Sequence, residues 1–413
     1  MPFSSRSSDV ITLSNLSLYS ASTCDVIPPL GPDFTRNLTS LRQTIKKSNS
    51  QETQLCFVRH LLEAAEKVLV DPEQLGIPLN TLPEGVSVEE AKQKMHDMFA
   101  EEAMKWLKKL AHTSPALGKT PHPEAQFMWA ECLGNGSYGV HIDHKQAYIL
   151  YTQASKQGHA AACFRTAVCH EFGVGTKKDP RRAIQFYEKA AALNDRLAMH
   201  KMARVLLHGR LGAQKNLKKG LQWLKRAAAL ADAKHPESLH DLALCFDPED
   251  TLSIVIPDAS YTAELFKKAA DFGYAPSQHR LGASYEYGLL ELEPDAEQSI
   301  RYYKMAAEQG FADSQLALAN WFLVGAPGVL EQSDSDAFCW AQRAARANNA
   351  RGMYMLAHCY EEGIGAEVSL EKARDWYRRS AEAGYRRAAH RLEELSGKKN
   401  KKRRWWRKLL CLK

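Results

Sequence analysis

Residues 171–191 read EFGVGTKKDPRRAIQFYEKAA, and variants of this pattern recur through most of the chain. Gly173 and Gly175 close a preceding apolar segment, because glycine tolerates the left-handed conformation that ends a helix. Asp179 then offers a side-chain oxygen to the free N–H groups of a new helix, and Pro180 suits its first position. Aromatic residues and alanines follow at helical spacing over 183–191. The stretch therefore predicts a turn between two helices.

The pattern returns seven times from about Pro123, at intervals of 36 to 42 residues. The intervals separate the small residues that open the second helices: Ala147, Ala183, Gly220, Thr262, Ser299, Ala337 and Ala373. A capping side chain stands four residues before each of them: Asp143, Asp179, Asn216, Asp258, Asp295, Ser333 and Ser369. Six units have a helix-ending Gly or Asn eleven residues after the small opening residue: Gly158, Asn194, Gly273, Gly310, Asn348 and Gly384. The third unit has Ala231 there, which predicts a helix-like continuation towards Pro236.

Each unit also carries small and large residues suited to packing between helices. Seven residues after the opening positions come Ala154, Ala190, Ala227, Ala269, Ala306, Ala344 and Ser380. The large residues predicted to fill the interior are Tyr151, Tyr187, Trp223, Phe266, Tyr303, Trp340 and Trp376. A single helical hairpin cannot bury its apolar face alone, so neighbouring hairpins stack. We predict an all-α fold, a right-handed superhelical solenoid with an extended concave surface.

Four segments are predicted along the chain. Residues 1–50 contain 16 Ser or Thr and are expected to be disordered, residues 51–121 to form an N-terminal helical region, residues 122–396 to form the seven repeats, and residues 397–413 to form a basic amphipathic tail. In the helical region, Ser87 and Glu90 predict a capping box. The loop at 247–258 in the fourth unit carries extra residues, including Ile254 and Ile256, and is either a contact loop or tolerated length.

The positive charge of the chain is concentrated in its tail. The net charge is +7, but nine Lys or Arg and no acids lie between Lys398 and Lys413, which leaves 46 basic and 48 acidic residues elsewhere. Such a segment favours an anionic membrane surface, with nuclear import, RNA binding or a plain solvated run as alternatives. The predicted membrane-binding residues are Lys401, Lys402, Arg403, Arg404, Trp405, Trp406, Arg407 and Lys408. Cys411 is a candidate for palmitoylation.

The composition excludes several classes of protein. The 413 residues include 45% hydrophobic and 25% charged residues, the proportions of a soluble protein with a sizeable core. An apolar run of about 18 residues, which would span a membrane, is absent, and the polar start at Met1 does not fit a signal peptide. Nine cysteines without a CxxC spacing argue against a disulfide scaffold or a zinc site and favour a reducing, cytosolic setting.

The sequence shows no residue set for catalysis, cofactor binding or metal binding. The glycine-rich segments at 134–136 and 173–175 follow helices and match neither GxGxxG nor a Walker loop, so they are interpreted as turns. The Cys-His pairs at 169–170 and 358–359 lie among core positions of first helices, which favours buried cysteines over nucleophiles or ligands. We therefore expect a non-catalytic protein without a cofactor.

The units resemble Sel-one-like (Sel1-like) repeats, relatives of the tetratricopeptide repeat, in the Gly-x-Gly turn, the capped second helix and the Ala-Ala pair. A closer similarity is to the fungal chitin synthase regulatory factors, over about 122–396 and the helix at 101–111. The stretches that carry it are HPEAQ (122–126), WLKRAA (223–228), LHDL (239–242), GYAPSQ (273–278), LGASYEYG (281–288), QSD (332–334) and WAQRAA (340–345).

The resemblance implies an enzyme regulator, an adaptor that binds and activates or localises chitin synthase at the plasma membrane, growth site or septum. The expected partners are the synthase, or a cortical or septal scaffold protein, and an anionic membrane surface, with nucleic acid not favoured. Several family members end in a prenylation signal, but only Leu412 and Lys413 follow Cys411, so farnesylation is not expected. The alternatives are an adaptor for another cortical or signalling complex, a repeat-containing hydrolase, and an endoplasmic-reticulum degradation adaptor. The last two would require an export signal.

Overall fold

The computed structural model describes residues 30, 33–75, 87–112, 120–248 and 255–395, and most of them are helical. Within these ranges the β-type pairing is a single isolated bridge between Ala326 and Leu330. The chain forms two compact units that divide between Asn216 and Leu217. The all-α prediction is confirmed.

Three helices precede the repeats: α1 (Phe34–Lys47), α2 (Gln51–Val70) and α3 (Val88–Ala111), with a 3₁₀ turn at Pro72–Leu75 after α2. As predicted, Ser87 and Glu90 form a capping box at the start of α3. Ser50 caps α2 by accepting a hydrogen bond from the backbone N–H of Thr53. The apolar faces of α2 and α3 pack together and form the core of the N-terminal region.

The predicted disorder of residues 1–50 is wrong for the part that forms α1. Phe34, Leu38, Leu41 and Ile45 recur at four-, three- and four-residue steps and are all buried. Arg42 on the same helix donates a hydrogen bond of 2.9 Å to the carboxylate of Glu102 on α3. Burial of this apolar stripe stabilises the helix enough to offset the conformational entropy lost when the segment is ordered. From the Ser- and Thr-rich composition alone, we expected that entropy to keep the segment disordered. Residues 1–29, 31 and 32 lie outside the described part.

The repeats alternate first and second helices, and within each unit every helix packs on its neighbours in the chain. The first unit continues with α4 (Pro123–Asn135), α5 (His144–Lys156), α6 (Ala160–Phe172), α7 (Pro180–Ala192) and α8 (Arg196–His208), with 3₁₀ turns at Ser137–Gly139 and Arg210–Gly212. The second contains α9 (Leu217–Ala229), α10 (Glu237–Phe246), α11 (Ala259–Asp271), α12 (Ala275–Tyr287), α13 (Ala296–Glu308), α14 (Ala312–Val324), α15 (Asp334–Arg346), α16 (Ala350–Glu362), α17 (Leu370–Glu382) and α18 (Arg386–Leu395).

Helix capping follows the sequence prediction closely. Six predicted caps accept hydrogen bonds from backbone N–H groups at the starts of the second helices: Asp143, Asp179, Asp258, Asp295, Ser333 and Ser369. The six predicted Gly and Asn residues all have positive φ, from 59° at Asn348 to 93° at Gly384. The third repeat differs, because α9 ends at Ala229 before Ala231. Asp232 there accepts hydrogen bonds from the N–H groups of Lys234 and His235, which builds a turn instead of more helix.

Three of the predicted interior residues lie at the edge of the core. The buried positions stand four residues after the opening residue, where Tyr187, Phe266 and Tyr303 are nearly inaccessible. Trp223, Trp340 and Trp376 stand only three residues after it and are half-buried. Their neighbours Leu224, Ala341 and Tyr377 occupy the interior. Each tryptophan ring is instead covered by an arginine three residues on, 4.6, 4.5 and 4.7 Å away for Arg226, Arg343 and Arg379.

In the long loop of the fourth repeat, Ile256 is 88% exposed, while Ile254 lies outside the described residues. Among the helices of the described ranges, none is both long and apolar enough to cross a membrane.

Candidate protein-binding groove

A carboxylate near the end of a first helix connects its repeat to the next one. Glu171, the twelfth residue of α6, accepts a hydrogen bond of 2.5 Å from the hydroxyl of Tyr187 on α7. It also pairs at 2.8 Å with Lys201, the sixth residue of α8. The Lys201 ammonium lies 5.7 Å from the centre of the Tyr187 ring. The carboxylate, the hydroxyl and the ammonium thus provide one another with hydrogen-bond and ion-pair partners where they are shielded from water.

The same arrangement recurs at other junctions. Glu361, the twelfth residue of α16, accepts from Tyr377 and pairs with Arg391, the sixth residue of α18. Burial alone would raise the pKa of Glu361, but the hydrogen bonds from Arg391 and Tyr377 outweigh it and lower that pKa. Two variants of the arrangement are Glu131 with Tyr151 and Arg165, and Asp247 with Arg280, with ion-pair distances of 2.8 Å.

At the junction between the fifth and sixth repeats, no described residue supplies the cation. Glu286, the twelfth residue of α12, accepts a hydrogen bond of 2.7 Å from the hydroxyl of Tyr303. The sixth residue of α14, which should supply the positive charge, is Ala317. Among the described residues, no Lys or Arg forms an ion pair with Glu286. This half-buried carboxylate therefore accepts hydrogen bonds from the hydroxyls of Tyr303 and Tyr287 but has no counter-ion among the described residues.

A groove of about 590 Å³ opens at this junction, wholly within the second unit. First helices provide its walls, with Glu286 and Tyr287 from α12, Ala317 from α14 and Arg351 from α16. The remaining lining residues are His279, Ala283, Tyr303, Asp313, Leu316, Asn320, Asn349 and Ala350. Tyr287 is 66% exposed, so the groove has an accessible aromatic side chain beside its carboxylate. Concave surfaces of this kind bind polypeptides in repeat proteins.

The ionisable side chains that line the groove give it a net negative charge. Burial, followed by the hydrogen bond to Glu286, raises the pKa of Tyr303, so its hydroxyl stays protonated and donates to the carboxylate. The hydrogen bond to Glu286 raises the pKa of Tyr287. Burial lowers the pKa of His279, whose ring lies 2.9 Å from the Ser314 hydroxyl. Because His279 is neutral, the two negative charges of Glu286 and Asp313 exceed the one positive charge of Arg351.

The cysteines that sit beside histidines are buried, as expected. Burial raises the pKa of Cys169 and that of Cys359 to about 11, which keeps both thiols protonated and poorly nucleophilic. His170 is 2% exposed, lies 3.3 Å from the Tyr148 hydroxyl and stacks on Phe186. These contacts place the pair at 169–170 in the packing between repeats.

One cluster of potential metal ligands occurs in the described ranges, at His358, Glu361 and Glu362. Glu361 is already committed to Arg391 and Tyr377, so a cation there would have to displace a guanidinium. The cluster therefore belongs to the junction between the seventh repeat and α18.

The predicted site residues are not brought together by the described part of the chain. Lys401, Lys402, Arg403, Arg404, Trp405, Trp406, Arg407, Lys408 and Cys411 all lie outside it. The groove at Glu286 was not among the sites predicted from the sequence. Its signal becomes visible only when first helices are aligned by position: Arg165, Lys201, Arg280 and Arg391 stand sixth in their helices, where α14 has Ala317.

Comparisons with known proteins agree with this architecture. The Sel1 repeat family matches residues 123–159, 160–195, 196–232, 236–274, 275–311, 312–349 and 350–385. The crystal structure of c5321, a protective antigen of uropathogenic Escherichia coli with an SLR fold, matches with a TM-score of 0.63 and 23% identity, over 87% of this chain and 67% of that one. This second likeness concerns the fold alone.

Similar curated proteins come from fungi. The chain is 31% identical to the chitin synthase regulator SKT5 of Saccharomyces cerevisiae over 88% of its own length and 50% of that protein. It is 34% identical to chitin synthase regulatory factor 3 of Schizosaccharomyces pombe over 72% of its length and 32% of that protein. The chain thus spans at most about half of these relatives. Seven matched repeats over more than half of its residues show that the chain belongs to the Sel1 repeat family.

Proposed function

We propose that this chain is a non-catalytic adaptor that binds and activates or localises chitin synthase, directly or through a cortical or septal scaffold protein. The observation that carries the proposal is the similarity, over 88% and 72% of the chain, to two fungal proteins named as chitin synthase regulators. The repeat architecture suits this role, because stacked hairpins display a broad surface without needing a reactive centre.

The groove between α12, α14 and α16 has a lining suited to hold a partner. Its lining combines an exposed aromatic residue, Tyr287, with charged side chains on rigid helices. Aromatic residues supply contact area at low entropic cost, and fixed charges select the partner. Binding there would hold a synthase or its scaffold in place and leave catalysis to the synthase.

The basic tail supplies the second half of the proposal, attachment to the inner face of the plasma membrane at growth sites or the septum. Each Lys or Arg near an anionic leaflet contributes about 1 kcal/mol. Trp405 and Trp406 suit the membrane interface, where an amphipathic ring finds both apolar and polar surroundings. An acyl chain on Cys411 would supply the second signal that stable anchoring needs.

The test of the regulatory role is loss and restoration of chitin in the native host. Deleting the gene should lower wall chitin and septum staining, and expression of the full chain should restore both. Purified chain added to membranes from the deletion strain should raise their chitin output. Unchanged chitin in a host without a redundant paralogue would contradict the proposal.

A further inference from the structure

We propose that the groove at Glu286 binds a single arginine side chain of a partner polypeptide. The proposal deepens the proposed function and rests on it for the identity of the partner. Its starting point is the arrangement at Glu171 and Glu361, where a carboxylate receives one tyrosine hydroxyl and one cation. At Glu286 the hydroxyl is present, and the chain itself supplies no Lys or Arg among the described residues.

The groove reproduces the surroundings of a bound cation. Lys201 contacts the carboxylate of Glu171 and lies over the ring of Tyr187. In the fifth repeat the corresponding carboxylate and ring belong to Glu286 and Tyr303, and both line the groove. Ala317 replaces the long cationic side chain with a methyl group, so the space that Lys201 fills at its own junction is part of an open groove here. A cation from outside the chain would complete the arrangement.

The chemistry of the lining favours arginine over lysine. A guanidinium offers a planar set of N–H donors that matches a carboxylate and also stacks on aromatic rings. Glu286 supplies the carboxylate, while the exposed ring of Tyr287 stands next to it in the chain. Asp313 and Asn320 add oxygen acceptors on α14. Arg351 on α16 would repel a second positive charge, which suits one arginine better than a run of them.

Two substitutions test the site without dismantling it. Glu286→Gln removes the charge but keeps an oxygen that can accept from Tyr303. Ala317→Arg supplies the missing cation from within the chain, as Arg280 and Arg391 do at their own junctions. Glu308→Gln, at an exposed position of α13, removes the same charge outside the groove and serves as the matched control.

The probe is N-acetyl-arginine amide, titrated into the full chain and observed by NMR, with the lysine and citrulline analogues as competitors. We expect arginine to bind at least tenfold more tightly than citrulline and more tightly than lysine. Glu286→Gln should weaken arginine binding about tenfold or more, Ala317→Arg should abolish it, and Glu308→Gln should leave it unchanged. Equal binding of arginine and citrulline, or binding that survives Ala317→Arg in a folded variant, would overturn the proposal.

Two further outcomes distinguish a partner polypeptide from the basic tail, and the arginine site from the regulatory role. If the full chain binds no probe but a chain ending at residue 397 does, the occupant is the basic tail of the protein itself, and the partner proposal is overturned. If the probe binds as expected and gene deletion leaves chitin unchanged, the arginine site stands and the proposed regulatory function fails. Loss of chitin output in the Ala317→Arg strain, with the variant folded and abundant, supports both.

Discussion

Gly365 lies against the backbone of Asp334, the first residue of α15, so closely that a Cβ at position 365 would stand 2.2 Å from its carbonyl oxygen. Gly175 and His144, the first residue of α5, have the same relationship at 2.0 Å. Each glycine is the second of a Gly-x-Gly turn. The turn therefore serves two purposes, since it closes a helix and lets one repeat approach the preceding one.

Gly365→Ala should be markedly more destabilising than Gly310→Ala. Both glycines have positive φ, 64° and 87°, so alanine costs about 1–2 kcal/mol at either position. A Cβ at Gly310 meets nothing within 4 Å, whereas one at Gly365 clashes with backbone and raises the total to about 2–5 kcal/mol. Urea unfolding of the two variants measures the difference. Equal losses would show that the close approach at Gly365 is unimportant.

Phe266→Ala should cost more than Trp340→Ala, although tryptophan is the larger residue. Phe266 is fully buried, so its truncation leaves a cavity worth about 3–5 kcal/mol. Trp340 is half-buried and gains about 0.5–1 kcal/mol from the guanidinium of Arg343 above its ring. Asp295→Ala, which removes a helix cap, provides a reference of about 1 kcal/mol. Urea unfolding ranks the three variants by their loss in free energy of unfolding. If Trp340→Ala lost as much as Phe266→Ala, the original prediction that Trp340 fills the interior would be supported.

Stability should fall as the pH drops from about 6.5 towards 4, partly through His240. Burial lowers the pKa of His240 to about 4, whereas a histidine in an unfolded chain titrates near about 6.5. The unfolded state therefore binds more protons within this window, so the stabilisation is complete above it and lost as the pH falls. His240→Gln should flatten the dependence, measured as urea midpoints across the window. The exposed His390→Gln is the control, and an unchanged slope in His240→Gln would contradict the prediction.

The 398–413 segment fused to a fluorescent protein should mark the plasma membrane. Charge attraction is screened over about 8 Å at physiological salt, so binding by charge alone should weaken as salt is added. The tryptophans add a hydrophobic contribution that salt does not screen, and an acyl chain would add about 0.8 kcal/mol per buried methylene.

Substitutions within the segment separate these contributions. Neutralising Arg403, Arg404, Arg407 and Lys408 should disperse the signal. Cys411→Ser should leave a weaker, salt-sensitive pool if the cysteine is acylated. A nuclear signal that nuclease treatment abolishes, with no binding to anionic liposomes, would contradict membrane attachment.

The repeats could be predicted because local rules set them. A cap such as Asp179 or a helix-ending residue such as Asn194 acts on its own turn, so the sequence shows it directly. Helix α1 escaped prediction because the composition of residues 1–50 hid the spacing of Phe34, Leu38, Leu41 and Ile45. These residues gain their stability from contacts with α2 and α3, and composition contains no information about such contacts.

The groove and the tryptophan positions could not be read from one unit at a time. A shift of one residue separates Trp376 from the buried Tyr377, and periodicity cannot decide which of two adjacent large residues enters the core. The significance of Ala317 appears only against the cations that stand at the same position in other repeats. A missing charge is visible only by comparison between repeats.

The carboxylate–cation junctions also make the repeats unequal as building blocks. Repeat two needs a successor with a cation at the sixth position of its first helix, as Lys201 provides for Glu171. Deleting the sixth repeat would bring Met355 to the place of Ala317, and moving that repeat behind Glu171 would leave this carboxylate without its lysine. The matched pairs therefore favour the natural order of the repeats, and shuffled or shortened arrays that break a pair should lose stability at that junction.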